Sequence, residues 1–140
     1  MKLIFLLAFI CTAHAQHTSQ PQKEDSSDLR AGIVMFSIED VSDEKKIWLE
    51  RTANLDYLLR MQIEDEDEKT QKITTKDAKK MEIDFASRFL KCQYELPPSE
   101  EDCKVTLRLT MKGEPQDICK KDDKKTQEIA PFIGELEKRF

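Results

Sequence analysis

Apolar residues crowd the start of the chain, where Leu3 to Cys11 is almost unbroken behind the basic start Met1-Lys2. Ala13-His14-Ala15 then sets small residues at the two positions a signal peptidase reads, which predicts cleavage before Gln16 and a secreted, extracellular protein. The run is shorter than the ~20 apolar residues a membrane helix needs, and no later segment could span a bilayer. Residues 16–27 are polar and carry no large apolar side chain, the pattern of a disordered tail. Gly32 opens a compact strand-like patch, Ile33-Val34-Met35-Phe36.

Beyond it, Ile47, Trp48, Ala53, Leu55, Leu58, Leu59 and Ile63 recur at close to 3.6 residues, with Ser42 as N-cap and Asp43 and Glu44 in the first turn. This predicts one amphipathic helix over residues 43–63. Five consecutive acids, Glu64 to Glu68, end it in a solvated loop. They lack the alternating Asp/Asn, central Gly and distal Glu of an EF-hand. The period then changes. Met81, Ile83 and Phe85 alternate with acids and predict a strand running to Leu90, with a bulge near Ala86-Ser87-Arg88. Val105, Leu107, Leu109 and Met111 alternate with polar residues and predict an antiparallel strand over 104–112. Gly113-Glu114-Pro115 turns the chain, and residues 116–119 return as a short strand. At the C-terminus Ile129, Phe132, Ile133, Leu136 and Phe140 form a helical stripe, with Pro131 in a first turn.

A long helix plus alternating strands is an α+β fold: one helix on an antiparallel sheet of four to five strands, with an extra short C-terminal helix. The expected organisation is a signal peptide (1–15), a disordered tail (16–31), one domain (32–120) and an amphipathic helical tail (121–140). At 140 residues, with 39% apolar and 36% charged side chains, the chain has room for one modest core.

Net charge is −5, and loss of Lys2 with the leader takes it to −6, so phosphate backbones are repelled and nucleic acid is no partner. Removing Cys11 leaves Cys92, Cys103 and Cys119. In an oxidising compartment that allows one disulfide and one thiol. Cys92 and Cys103 flank a Pro97-Pro98-Ser99 turn, which favours their pairing; pairings with Cys119 are the alternative. With Cys92 and Cys103 joined, Cys119 is buried, capped by a small thiol, or links two chains edge to edge in a dimer.

The catalytic repertoire is thin. The mature chain has one histidine, His17, and it falls in the polar tail, where no nucleophile can be held against it. Three scattered cysteines do not make a zinc site, the acids sit on loops and solvated faces, and no Gly-rich phosphate loop is present. These observations point away from an enzyme and imply no metal and no cofactor. Asn54, the single asparagine, has Asp56 at the third position, so there is no glycosylation acceptor.

A leader, a Gly ahead of a predicted long helix, and strands bearing cysteines together resemble the cystatin superfamily, including its cathelin-like branch. The segment from Cys92 to Cys103, with Pro-Ser-Glu-Glu-Asp-Cys leading into the second cysteine, is similar to that around the first disulfide of cathelin domains. Thr52 to Leu59 resembles a cathelin stretch, and Met81 to Leu90 resembles the strand that precedes the same cysteine in secreted cystatins. The resemblance covers roughly residues 32–120.

It implies a protease-binding wedge of three parts: an N-terminal Gly, a Gln-x-Val-x-Gly hairpin and a Pro-Trp hairpin. Gly32 stands for the first. The second falls near Thr74 to Lys80, with Thr74 and Lys76, and lacks Gln, Val and Gly. The third falls near Met111 to Pro115, with Gly113 and Glu114, and lacks Trp. Cathelin-like proteins release a cationic antimicrobial helix, whereas residues 127–140 carry three acidic and two basic side chains. The expectation is a secreted, non-enzymatic binding protein on a divergent cystatin-like scaffold, in host defence or reproductive fluid, with a protein partner. The alternatives are a working inhibitor of papain-like cysteine proteases and a cathelin-like antimicrobial precursor.

Overall fold

Thr74 shows how local chemistry sets this fold. Its backbone is extended, and its hydroxyl accepts a hydrogen bond from the Asp77 N–H at 3.1 Å, capping helix α1, Thr75–Leu90. A computed structural model describes residues 32–96, 107–119 and 123–140. The predicted leader and tail and the Pro97-Pro98-Ser99 turn lie outside the described residues, as does Cys103.

Four strands precede α1: β1 (Ile33–Asp40), β2 (Lys45–Arg51), β3 (Tyr57–Ile63) and β4 (Lys69–Ile73). A π-helical turn, Lys91–Glu95, extends α1. Then come β5 (Leu107–Met111), β6 (Glu114–Ile118) and helix α2 (Asp123–Glu137). The six strands form one sheet in the order β4-β3-β2-β1-β5-β6, every neighbouring pair antiparallel. The architecture is α+β, with a helix packed on the sheet and a short C-terminal helix, as expected; among the described residues the sheet has six strands where four to five were expected.

Two elements exchange identity relative to the sequence reading. Residues 43–63 are no helix but the hairpin β2–β3. Its buried positions, Ile47 and Leu49 on one strand and Tyr57, Leu59 and Met61 on the other, alternate with period two. The pairs Leu49↔Leu59 and Ile47↔Met61 put both sets on one face. Leu55, which a helix would bury, sits in the turn at positive φ. The helix-like spacing arises because two alternating runs, joined by a short turn, leave apolar residues three to four apart where they meet.

Conversely, residues 81–90 are no strand but part of α1. Ala78, Met81, Phe85 and Phe89 are its buried side chains, at the three- and four-residue spacing of a helix, and Ile83 points outward. The Thr74-x-x-Asp77 pattern is the sequence signal for this start.

The core lies between sheet and helices. Phe36 of β1 stacks on Phe85 of α1 at 4.4 Å between centroids, and Phe132 of α2 tilts against both, at 5.7 and 5.9 Å. Ile129, Phe132 and Leu136 are wholly buried, so α2 is part of the domain core. Pro131 lies inside α2 and not in a first turn, because the helix starts at Asp123. Polar contacts also fasten α2: Lys45 pairs with Glu137, Lys91 with Glu128 at 2.7 Å, and Arg88 donates to the Glu128 carbonyl and lies over the Phe132 ring.

The cysteine assignment is corrected. Cys92 is a wholly buried thiol whose Sγ approaches the Lys125 carbonyl at 3.9 Å, and Cys119 is the disulfide-bonded residue. The disulfide-bonded cysteine is therefore Cys119, expected as the odd one, and not Cys92. The physical reason is the helix: Cys92 continues the buried face of α1, which turns its side chain into the core.

Candidate functional site

Antiparallel register decides which of the proposed contact residues meet. Ile33 pairs with Arg51, Arg51 with Tyr57, and Tyr57 with Ile73. On the other side of β1, Phe36 pairs with Met111, and the Lys112 N–H donates to the Met35 carbonyl at 3.4 Å. Gly32, the β2–β3 turn, Thr74 and the β5–β6 turn therefore all lie at one end of the sheet.

They are not equally close. Gly32 and the β5–β6 turn are carried by neighbouring strands. Thr74 directly follows β4, three strand spacings from β1, roughly 14 Å away. Neither Thr74 nor Lys76 belongs to a hairpin: Thr74 caps α1 and Lys76 lies exposed in its first turn, which corrects the reading of residues 74–80 as a second hairpin. The third hairpin is present. Lys112 and Gly113 both take positive φ, the geometry of a tight two-residue hairpin turn, and Glu114 begins β6 opposite Met111.

Gly32 is held firmly. Its N–H donates to Glu50 Oε1 at 3.2 Å, and a Cβ at this position would collide with the Glu50 side chain. Glu50 is itself buried, on the sheet face opposite the helices, and its Oε2 lies 3.1 Å from Arg60 Nε. Arg60 also donates to Glu68. One chain of charges thus ties the entry to β1, strands β2 and β3, and the β3–β4 turn.

The surface around Gly32 is apolar where it reaches solvent. Ile33 is 61% exposed and Val34 44%, and Leu55 projects from the β2–β3 turn at 68%. A cavity of about 200 Å³ opens between this end of the sheet and α1, over the Phe36–Phe85 stack and walled by Met35, Met111, Ile83 and Lys112. The bulge in β1 between Val34 and Phe36 re-aims the strand beside that opening. Leu55 was missed by sequence reasoning because the helical period assigned it to a buried face; the Asn54 and Asp56 that flank it, both turn formers, were the available signal.

The opposite end is acidic. Glu44, in the β1–β2 turn, is hydrogen-bonded side chain to side chain with Glu64, which raises its pKa above the ordinary 4.5, and the Glu64 charge adds to the rise. The Glu64 N–H also donates to the Glu44 carbonyl, at 3.1 Å. Among the described residues no group of three or more His, Cys, Asp or Glu is arranged to hold a metal ion, and no helix is long and apolar enough to cross a membrane.

In comparisons with known proteins, no family model matches the chain, and neither does any curated protein or solved structure.

Proposed function

We propose that this is a secreted, non-enzymatic binding protein on a cystatin-like α+β scaffold, gripping a protein partner with the sheet end that carries Gly32, Leu55 and the Lys112-Gly113 turn. The carrying observation is the gathering of three exposed apolar side chains, Ile33, Val34 and Leu55, at one end of the sheet beside a cavity whose lining is mostly apolar, with Glu82 and Lys112 at its rim. Apolar anchors next to a pocket are what a protein interface centres on. The grip on Gly32 through Glu50 holds the edge in place before a partner arrives, which lowers the ordering cost of binding. Host defence and reproductive fluid are both settings in which such a protein would work.

The test is recovery of partners from the fluid into which the protein is secreted, with the wild-type chain and an Ile33→Asp/Leu55→Asp double variant as baits. A partner held by the wild type and lost with the variant supports the reading. Identical recovery with both would overturn it.

A second reading, inhibition of a papain-like cysteine protease, draws support from the closeness of Gly32 to the Lys112-Gly113 turn on neighbouring strands. Titration of such a protease with a fluorogenic substrate decides it. Tight inhibition weakened by Ile33→Asp would make the protease the partner; no inhibition at micromolar protein, with the fold intact by circular dichroism, would remove it. The reading as an antimicrobial precursor draws no support from α2, whose apolar stripe is committed to the core.

A further inference from the structure

Helix α1 has a second ordered face. Its buried side chains, Ala78, Met81, Phe85 and Phe89, point to the sheet and α2. Diametrically opposite runs a line at three- and four-residue spacing: Lys76, Lys80, Ile83, Ser87, Leu90 and, on the π-helical turn, Tyr94. All six are exposed, and the apolar ones strongly so: Ile83 71%, Leu90 45% and Tyr94 75%. Lys79 flanks the line on one side. No carboxylate lies on it: Asp84, at its border, is paired with Arg88 at 3.0 Å, and Asp77 and Glu82 point further away. Among the described residues no ion pair takes Lys76, Lys79 or Lys80. A chain of net charge −5 thus carries one basic, apolar face.

We propose that this face is a peripheral docking surface for an anionic phospholipid membrane. Charge complementarity selects an acidic partner, and the arrangement selects lipid over protein. Lys76 and Lys80 stand on the contact line itself. A protein helix packed along that line would have to bury their ammonium groups, whereas in a bilayer their long stems lie along the interface and the charges reach the headgroups. Ile83 and Leu90 insert at the acyl boundary, and Tyr94 suits the headgroup level, where its ring is covered and its hydroxyl hydrated. Lys76, Lys79, Lys80, Ile83 and Ser87 line one shallow, open hollow with Asp84 at its border, so the face meets a flat surface without rearrangement. Ile83 also walls the cavity at the Gly32 end, but Lys76, Lys79 and Lys80 take no part there, so the lysine variant tests this surface independently of the proposed protein partner.

The test is co-sedimentation of the purified protein with phosphatidylcholine vesicles, with and without about 30% phosphatidylserine. The expected result is partition onto the anionic vesicles only, released by about 0.5 M salt. The Lys76→Glu/Lys79→Glu/Lys80→Glu variant should lower the partition coefficient about a hundredfold, since each lysine near such a surface contributes severalfold. Ile83→Asp should weaken it about tenfold. All these positions are solvent-facing, so circular dichroism of each variant should match the wild type. A wild-type chain that stays in the supernatant with anionic vesicles overturns the proposal. So does partition unchanged by the triple variant, which would place the contact elsewhere. Failure on vesicles with lysine-dependent binding to polyglutamate would overturn it in favour of an acidic protein.

Discussion

The Gly32 N–H donates to Oε1 of Glu50, a buried carboxylate eighteen residues away on the neighbouring strand. The contact is close because Gly32 has no side chain; a methyl group there would overlap the Glu50 side chain. Glu50 has little freedom to yield, since its other oxygen faces Arg60. Gly32→Ala should therefore destabilise the fold by about 1–3 kcal/mol, the usual range for forcing extra volume into a packed site. Urea denaturation would register this as a lower midpoint with an unchanged slope. An unaltered midpoint would show that Glu50 swings aside at no cost.

Thr74 supplies the one side-chain cap on α1. Thr74→Ala should cost about 1 kcal/mol, and Thr74→Asp should restore most of it, because the carboxylate both caps the helix and suits its dipole. Thermal melts of the two variants check the order. Equal melts would mean the hydroxyl is not needed.

Phe132 is buried on α2 and touches the Phe36–Phe85 stack. Phe132→Ala should cost about 3–5 kcal/mol, the range for truncating a buried aromatic. A fully exposed helical tail would lose almost nothing. Denaturant titration distinguishes the two outcomes and also reports whether residues 123–137 unfold with the domain.

The Glu44 carboxyl has its pKa raised, first by its hydrogen bond to Glu64 and then by that group's charge. A carboxyl raised in the folded state holds its proton more tightly there than in the unfolded chain. Its contribution to stability is present in acid, below the ordinary 4.5, and is lost as pH rises through the raised folded value. Glu64→Gln should therefore raise the melting temperature slightly at neutral pH, where it removes a charge facing the Glu44 carboxylate, and not at about pH 3, where Glu44 holds its proton. Both groups are at the surface, so about 0.1 M salt should shrink the difference. A gain of the same size at both pH values would sink the explanation.

Cys92 is a thiol sealed in the core, and Cys119 is disulfide-bonded. With Cys11 in the predicted leader, Cys103 is the cysteine left to pair with Cys119. The protein without residues 1–15 should resist alkylation when folded and take up one label per chain after denaturation without reductant, at Cys92. Peptide mapping should then find Cys103 linked to Cys119. Labelling at Cys103 or Cys119 would reverse the assignment.

Several elements were legible along the chain because their signals are local. Leu107 and Leu109 alternate with polar neighbours on a strand with one solvated face, and the Lys112-Gly113 turn supplies its own positive φ. Ile129, Phe132 and Leu136 keep helical spacing and are buried. Gly32 and Gly113 were named as contact residues and do lie at one end of the sheet, on account of the β1–β5 register. Thr74 and Lys76 were placed in a hairpin that does not exist, and Leu55 went unnoticed inside a helix that does not form.

The sequence by itself determined which side chains must leave water, where the chain turns between β5 and β6, and that helices and an antiparallel sheet would share one core. Only the tertiary structure decided which stretch became which element. Ile47, Leu49, Leu59 and Met61 suit a strand, while Ile47, Leu55, Leu58 and Leu59 suit a helix, and over so short a span the two periods share members. The choice was made by partners far along the chain. Strand β1 offers Ile38 and Phe36 opposite Ile47 and Leu49, and the rest of the core is closed by Phe85 and Phe132. Backbone hydrogen bonds to a neighbouring strand and a helix to cover one face exist only once the whole domain is assembled, and their combined burial outweighs the local propensities of either segment.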